Sequence, residues 1–159
     1  MLDIVITEPE YHKAAEAFRS EPDVRCHVAA SDEEALAATV AVIQPAGCVL
    51  GVERYTGALY RAAPTGCVLS RFGVGHDGID KSLARDADLV VTNTPGVLDA
   101  AVAEHTLALI LALAKNLGRF LSGAQAGDWN PERTVELSGK TLAVIGCGAI
   151  GRVVARMAA

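Results

Sequence analysis

The sequence predicts an α/β protein built on a parallel sheet with helices on both faces, and three observations carry that expectation. Short apolar or β-branched runs recur along the 159 residues, helical stretches separate the first five of them, and the last runs straight into a glycine-rich turn and an apolar helix. Strands that alternate with helices need crossover connections, and crossovers give parallel strands covered on both sides. With 51% hydrophobic residues, the chain has enough apolar material to fill such a core.

Taken in order, strands are expected at Leu2 to Thr7, Val24 to Ala29, Cys48 to Val52, Cys67 to Phe72, Leu89 to Thr92 and Leu142 to Ile145. Between them, Tyr11 to Arg19 is amphipathic. Ser31, followed three residues on by Glu34, has the form of a capping box ahead of Ala35, Leu36 and Ala38. Thr56 to Ala63 is closed by Pro64, and Ile79 to Arg85 completes the set. Five βα units in succession correspond to a flavodoxin-like layered sheet.

The segment PGVLDAAVAEHTLALILALAKN, Pro95 to Asn116, breaks the rhythm. It predicts one long helix with Asp99 as N-cap and Lys115 as a fitting C-terminal charge. Its apolar residues cover nearly every side, so it is expected to be buried all round, between two domains or two subunits. A loop-rich stretch with Gly118, Gly123, Gly127, Trp129, Pro131 and a Gly139-Lys140 turn then leads to the final strand.

Composition narrows the function classes. The net charge is -5 and the 14 Lys and Arg residues are scattered singly among few aromatics, which argues against a nucleic-acid surface. The start, MLDIVITEP, has no basic leader region, and the longest apolar run, Thr106 to Ala114, falls short of the ~18 residues of a membrane span. A soluble cytoplasmic protein with no membrane partner is expected. Cys26, Cys48, Cys67 and Cys147 form no C-x-x-C pair, so neither a metal site nor a disulfide framework is signalled, and buried free thiols are expected.

Two stretches carry the candidate chemistry. At the end of the chain, Gly146, Gly148 and Gly151 stand in the spacing G-x-G-x-x-G, directly after a strand and ahead of Ile150, Val153, Val154 and Met157 at helical spacing. In a dinucleotide-binding unit the first glycine makes the tight turn, the second admits a pyrophosphate and the third lets helix and strand pack closely. A plain tight βα turn would leave the same pattern. The acidic residue that would hold the adenosine ribose is expected ~20 positions further on.

The second stretch, SRFGVGHDGID, sets Gly73, Gly75 and Gly78 after a strand, at the carboxyl end of the sheet where open α/β folds bind ligands. Closely spaced glycines can turn several N–H groups into one concavity suited to a carboxylate, with Arg71 adding charge. The alternative is a structural turn, and Asp77 and Asp80 are expected only to cap the following helix. Of the histidines, His12 is expected on an exposed helical face, His27 in a strand and His105 buried in the long helix. His76, in the glycine turn, is the one with a view of a ligand.

Together SRFGVGHDGID, VVTNTPGVLDAAVAEHTLALILALAKN and ELSGKTLAVIGCGAIGRVVARMA resemble, in this order and spacing, the D-isomer-specific 2-hydroxyacid dehydrogenases, especially those like phosphoglycerate dehydrogenase. The resemblance implies a substrate-binding domain over residues 1–97. Residues 98–159 would hold a crossover helix, a dimerisation arm and the first βα unit of a Rossmann domain. It implies that Gly73, Val74 and Gly75 offer N–H groups to a substrate carboxylate, with Glu53 and Arg54 lining the same cleft. Val102 would lie near the nicotinamide, and Gly146, Gly148, Ala149, Ile150 and Gly151 would meet the pyrophosphate of NAD or NADP. Gly78 departs from the Asn usual in the family.

The implied reaction is hydride transfer between the nicotinamide and a small 2-hydroxy or 2-keto acid, in a homodimer or larger homo-oligomer. The family's catalytic Arg, Glu and His follow the fingerprint and have no counterpart among these residues. The chain is therefore expected to be a truncated first half, inactive alone and binding the cofactor weakly or not at all. The alternative from another class is a non-catalytic binding or assembly module that keeps the flavodoxin-like half.

Overall fold

A computed structural model describes residues 1–159 as two compact units, Met1–Pro95 and Gly96–Ala159. The first holds β1 (Leu2–Thr7), α1 (Glu8–Lys13), α2 (Ala15–Ser20), β2 (Val24–Ala29), α3 (Glu33–Ile43), β3 (Gly47–Leu50), α4 (Ala58–Ala62), β4 (Val68–Arg71), α5 (Lys81–Asp86) and β5 (Val90–Thr92). All strand pairs are parallel, in the order β2-β1-β3-β4-β5. That is the flavodoxin-like order, whose switch point lies between β1 and β3.

Register follows burial. Ile4 to Ile6 of β1 face Gly47 to Val49 of β3, and Gly47 to Leu50 face Val68 to Arg71 of β4. Val5, Cys48, Leu50 and Leu69 are fully buried in these central strands, beneath Leu36 and Val40 of α3 and Leu59 of α4. Burying a side chain of this size contributes ~1.5–3 kcal/mol, so the packed face fixes which residues point inward.

Several local expectations are corrected. The helix expected at Tyr11 to Arg19 is two short helices that break at Ala14, at φ -143° and ψ 33°. Asp32, not Ser31, caps α3: its side chain accepts the Ala35 N–H, which leaves the Ser31 hydroxyl buried without a partner. Asp80 caps α5 through the N–H groups of Ser82 and Leu83, and the hydrogen bond from the Ser82 hydroxyl, then those from the two N–H groups, hold its carboxyl below the usual range; Asp77 caps nothing. Cys48 and Cys67 are buried with their Sγ atoms 4.0 Å apart, whereas Cys26 is half-buried and Cys147 exposed.

The second unit holds α6 (Asp99–Ala114), α7 (Leu117–Gln125) and α8 (Ala149–Met157), with α6 packed on α8 around the buried Ala103 and Val154. Leu98 is the N-cap of α6, and Asp99 instead supplies an acidic first turn. The long helix is not buried all round: Ala103 alone is buried, and Leu109 and Leu113 are 52% and 78% exposed. His105 is likewise exposed rather than buried. Leu142 to Ile145 forms no strand, because no neighbouring strand in this unit pairs with its backbone, and Ile145 is fully exposed. No single helix of the chain is long and apolar enough to cross a membrane.

Candidate functional site

In the first unit the carboxyl ends of β1, β3 and β4 carry the polar groups. β4 runs through Arg71 into the glycine turn, where the Phe72 N–H still donates to the Leu50 carbonyl at 2.9 Å. Gly73 then adopts φ +143°, a region an L side chain rarely enters, and a Cβ there would come within 2.8 Å of the Arg71 guanidinium. Arg71 folds back to donate to the Phe72 carbonyl, which sets its charge beside the turn.

The turn's backbone is sorted by direction. The Gly73 N–H donates to the Arg71 carbonyl at 2.8 Å, so Gly73 contributes conformation rather than a free donor. Its carbonyl accepts the Thr94 N–H at 3.0 Å, and the Val74 carbonyl accepts the Asn93 side-chain amide at 2.7 Å. The N–H groups of Val74 and Gly75 donate to no protein atom, and the space around Gly75 is open. Two adjacent free donors beside a guanidinium are chemically suited to bind a carboxylate. His76 follows, its Nδ1 buried without a partner.

Glu53 and Arg54 lie on the loop after β3, and Arg54 is exposed. This loop is seated on the glycine turn: the Tyr55 N–H donates to the Gly78 carbonyl at 2.9 Å, and Tyr55 bridges Ile79. Gly78 accommodates the approach, since a Cβ there would stand 2.1 Å from the Glu53 carbonyl oxygen. The Glu53 side chain turns inward over Gly51, toward Glu10. Burial would raise the Glu10 carboxyl, yet hydrogen bonds from Lys13 at 2.8 Å and from the Thr7 hydroxyl hold it below its ordinary value. Burial, then the charges of Glu53 and Glu10, push the Tyr55 phenol up.

The far end of the loop is fixed by Glu33, at the start of α3. Its carboxylate accepts the N–H groups of Thr56 at 2.7 Å, Gly57 at 2.7 Å and Leu59 at 3.2 Å, together with the Thr56 hydroxyl at 2.9 Å. Sequence reasoning missed Glu33, Glu10, Asn93 and Thr94. Glu33, Asn93 and Thr94 act on partners about 20 residues away that no local pattern reveals, whereas Glu10 bonds Thr7 and Lys13 at the local three-residue spacing.

In the second unit the fingerprint forms a tight turn into α8. Gly146 sits at φ +90°, and a Cβ on Gly151 would stand 2.3 Å from the Gly146 carbonyl oxygen. A Cβ on Gly148 would meet nothing, and Gly148 caps α8 without a side-chain bond, so the first-turn amides of Ala149, Ile150 and Gly151 are open to an anion. Val102 lies in the first turns of α6 and is 39% exposed.

A family model for the D-isomer specific 2-hydroxyacid dehydrogenase catalytic domain matches residues 4–158. The chain belongs to this family. Among its relatives, the D-3-phosphoglycerate dehydrogenase of Methanocaldococcus jannaschii is 32% identical over 99% of this chain and 30% of its own length. The glyoxylate reductase of Pyrococcus furiosus is 34% identical over 67% of this chain and 34% of its own length. Of solved structures, the NADPH-dependent glyoxylate/hydroxypyruvate reductase from Sinorhizobium meliloti, in complex with NADP and malonate, superposes with a TM-score of 0.77. It is 25% identical, covering 98% of this chain and 49% of that one. The chain thus spans about half the length of this solved dehydrogenase and about a third of the length of these two curated relatives.

Proposed function

We propose that these residues supply the substrate-carboxylate turn and the pyrophosphate turn of an NAD(P)-dependent oxidoreductase that acts on the CH–OH group of a small D-2-hydroxy acid, or reduces the 2-keto acid. The observation that carries this reading is the pair of unpaired N–H groups at Val74 and Gly75, on a turn at the carboxyl end of β4 with Arg71 beside it. Residues 1–97 act as the substrate-binding part. Arg71 adds long-range attraction, Arg54 stands at the exposed end of the neighbouring loop, and Glu53, folded over Gly51, lines the same cleft.

The dinucleotide fits the second unit on its own chemistry. Gly148 leaves room for a phosphate to approach, and the uncapped start of α8 offers donors from Ala149, Ile150 and Gly151. Val102 offers an apolar contact for the nicotinamide. NAD or NADP supplies or accepts the hydride when bound. Similarity to reductases of glyoxylate and hydroxypyruvate supports a small 2-keto acid as the substrate class.

We further propose a homodimer or larger homo-oligomer. The exposed leucines of α6 support it, as does a cavity of about 600 Å³ lined by Arg119, Phe120, Asp128 and Trp129, whose indole is 88% exposed.

The test is a titration of the isotope-labelled 159-residue chain with malonate and, separately, with NADP, read by amide shifts. Malonate is expected to move Val74 and Gly75, and NADP to move Gly148 to Gly151. Anion-induced shifts confined to other surfaces would sink the carboxylate reading. No turnover of glyoxylate or hydroxypyruvate is expected from these residues alone, since general acid/base groups typically contribute ~10²–10⁴-fold and the family's catalytic Arg, Glu and His have no counterpart among them.

A further inference from the structure

We infer that Asn93 is a positioning residue that holds the anion turn in its binding orientation; the inference rests on the reading of Val74 and Gly75 as carboxylate donors. In a trans peptide the carbonyl and the N–H point in opposite directions, so a bond that fixes one aims the other. The Thr94 N–H ties down the Gly73 carbonyl at 3.0 Å and thereby aims the Val74 N–H. The Asn93 side-chain amide ties down the Val74 carbonyl at 2.7 Å and thereby aims the Gly75 N–H. Both ties come from the two residues that follow β5, the parallel neighbour of β4, so the sheet itself sets their reach.

Only the second tie is made by a side chain, and it acts where nothing else constrains the chain. Gly75 has no neighbour within 4 Å of where a Cβ would stand, and its N–H has no protein acceptor. Without Asn93, the peptide between Val74 and Gly75 is free to rotate. Rotation would present the Val74 carbonyl to a ligand carboxylate in place of an N–H, and a donor site would become a repulsive one. Asn suits the position because its NH₂ donates at every pH. An ionised Asp offers acceptors only, and a protonated Asp regains one donor.

The test uses the whole chain as wild type, Asn93→Ala and Asn93→Asp, with residual dipolar couplings reporting the Gly75 N–H direction and malonate as the anion probe. At pH 7 both variants are expected to reorient the Gly75 N–H and to bind malonate at least ~10-fold more weakly, the cost of about one hydrogen bond to a charged group. The sheet amides of Val5 and Val49 should keep their wild-type couplings, which separates reorientation from unfolding. Asn93→Asp is expected to recover the wild-type Gly75 direction as its carboxyl protonates, near or above the ordinary value of ~3.9, while Asn93→Ala recovers nothing. A wild-type Gly75 direction in Asn93→Ala at pH 7 would overturn the inference, as would an Asn93→Asp turn indifferent to pH. If the couplings behave as expected but the wild type binds no malonate, the positioning role stands and the carboxylate reading falls.

Discussion

The Glu33 carboxylate accepts the Gly57 backbone N–H at 2.7 Å, across 24 residues of chain, and through it the start of α3 holds the start of α4. Gly57 brings no side-chain cap of its own, so Glu33 does the work of an N-cap from a distance. The loop of Glu53 and Arg54 is thus fixed at both ends, by Leu50 of β3 and by Glu33. A cap made across the fold ties the geometry of a binding loop to the packing of two helices.

Replacement of Glu33 should therefore cost about 1.5–3 kcal/mol, in the range for hydrogen bonds to a charged group. Burial alone would raise its carboxyl, but the hydrogen bonds from Gly57, Thr56 and Leu59 bring it below its ordinary 4.5. A depressed folded value means that the contribution is complete above 4.5 and is lost as pH falls through the folded value. Urea midpoints measured from pH 7 to pH 3 should fall more steeply for the wild type than for Glu33→Gln. Parallel curves would show that Glu33 titrates alike in the folded and unfolded chains.

A second prediction concerns Gly78, where the family usually has Asn. With the Glu53 carbonyl oxygen 2.1 Å from a Cβ built there, Gly78→Asn must displace backbone rather than a flexible side chain. Overpacking of this kind costs typically ~1–3 kcal/mol. The displacement should also break the Tyr55 N–H bond to the Gly78 carbonyl, so Tyr55 should lose amide-exchange protection. Unchanged stability and protection would mean that the loop after β3 re-seats at no cost.

The parts of the fold legible in the sequence are those governed by local pattern. β1 and β2 lie at Leu2–Thr7 and Val24–Ala29, where the β-branched runs put them, because strand propensity and burial agree there. Leu142 to Ile145 has the same local pattern and forms no strand, since a strand exists only with a partner to bond. The glycine turns were legible from their residues alone, through the φ of +143° at Gly73 and +90° at Gly146. The ties that aim the first turn were not, because Asn93 and Val74 meet only once β4 and β5 are aligned. Nor could sequence show that the Gly73 N–H is consumed within the turn.

Gly151 gives a third prediction, confined to the second unit. Its missing Cβ lets the Gly146 carbonyl approach, and an added methyl would sit 2.3 Å from that oxygen. Gly151→Ala should push α8 away from the turn and disperse the first-turn donors, with NADP-induced shifts lost at Gly148 to Ile150. The amide shifts of β1 to β5 should not change. NADP-induced shifts that persist in the variant would show that the turn relaxes around the methyl.

The last prediction is that the chain self-associates through α6. Leu109, Leu111 and Leu113 are each about half exposed or more, and Ala103 is the one residue of the helix that is buried. Monomeric proteins seldom leave an apolar patch of this kind in water. A dimer at low micromolar concentration needs about 8 kcal/mol beyond an association cost of about 4–15 kcal/mol, which at ~25 cal/mol/Å² means burial of roughly 500–900 Å² of this surface against a second copy. Light scattering at that concentration should give at least twice the monomer mass. Leu109→Glu with Leu113→Glu places charge at two exposed positions of the same surface, so the double variant should be monomeric with its circular dichroism unchanged. A wild-type chain that stays monomeric, or a double variant that unfolds, would place these leucines in the fold's own packing rather than at an interface.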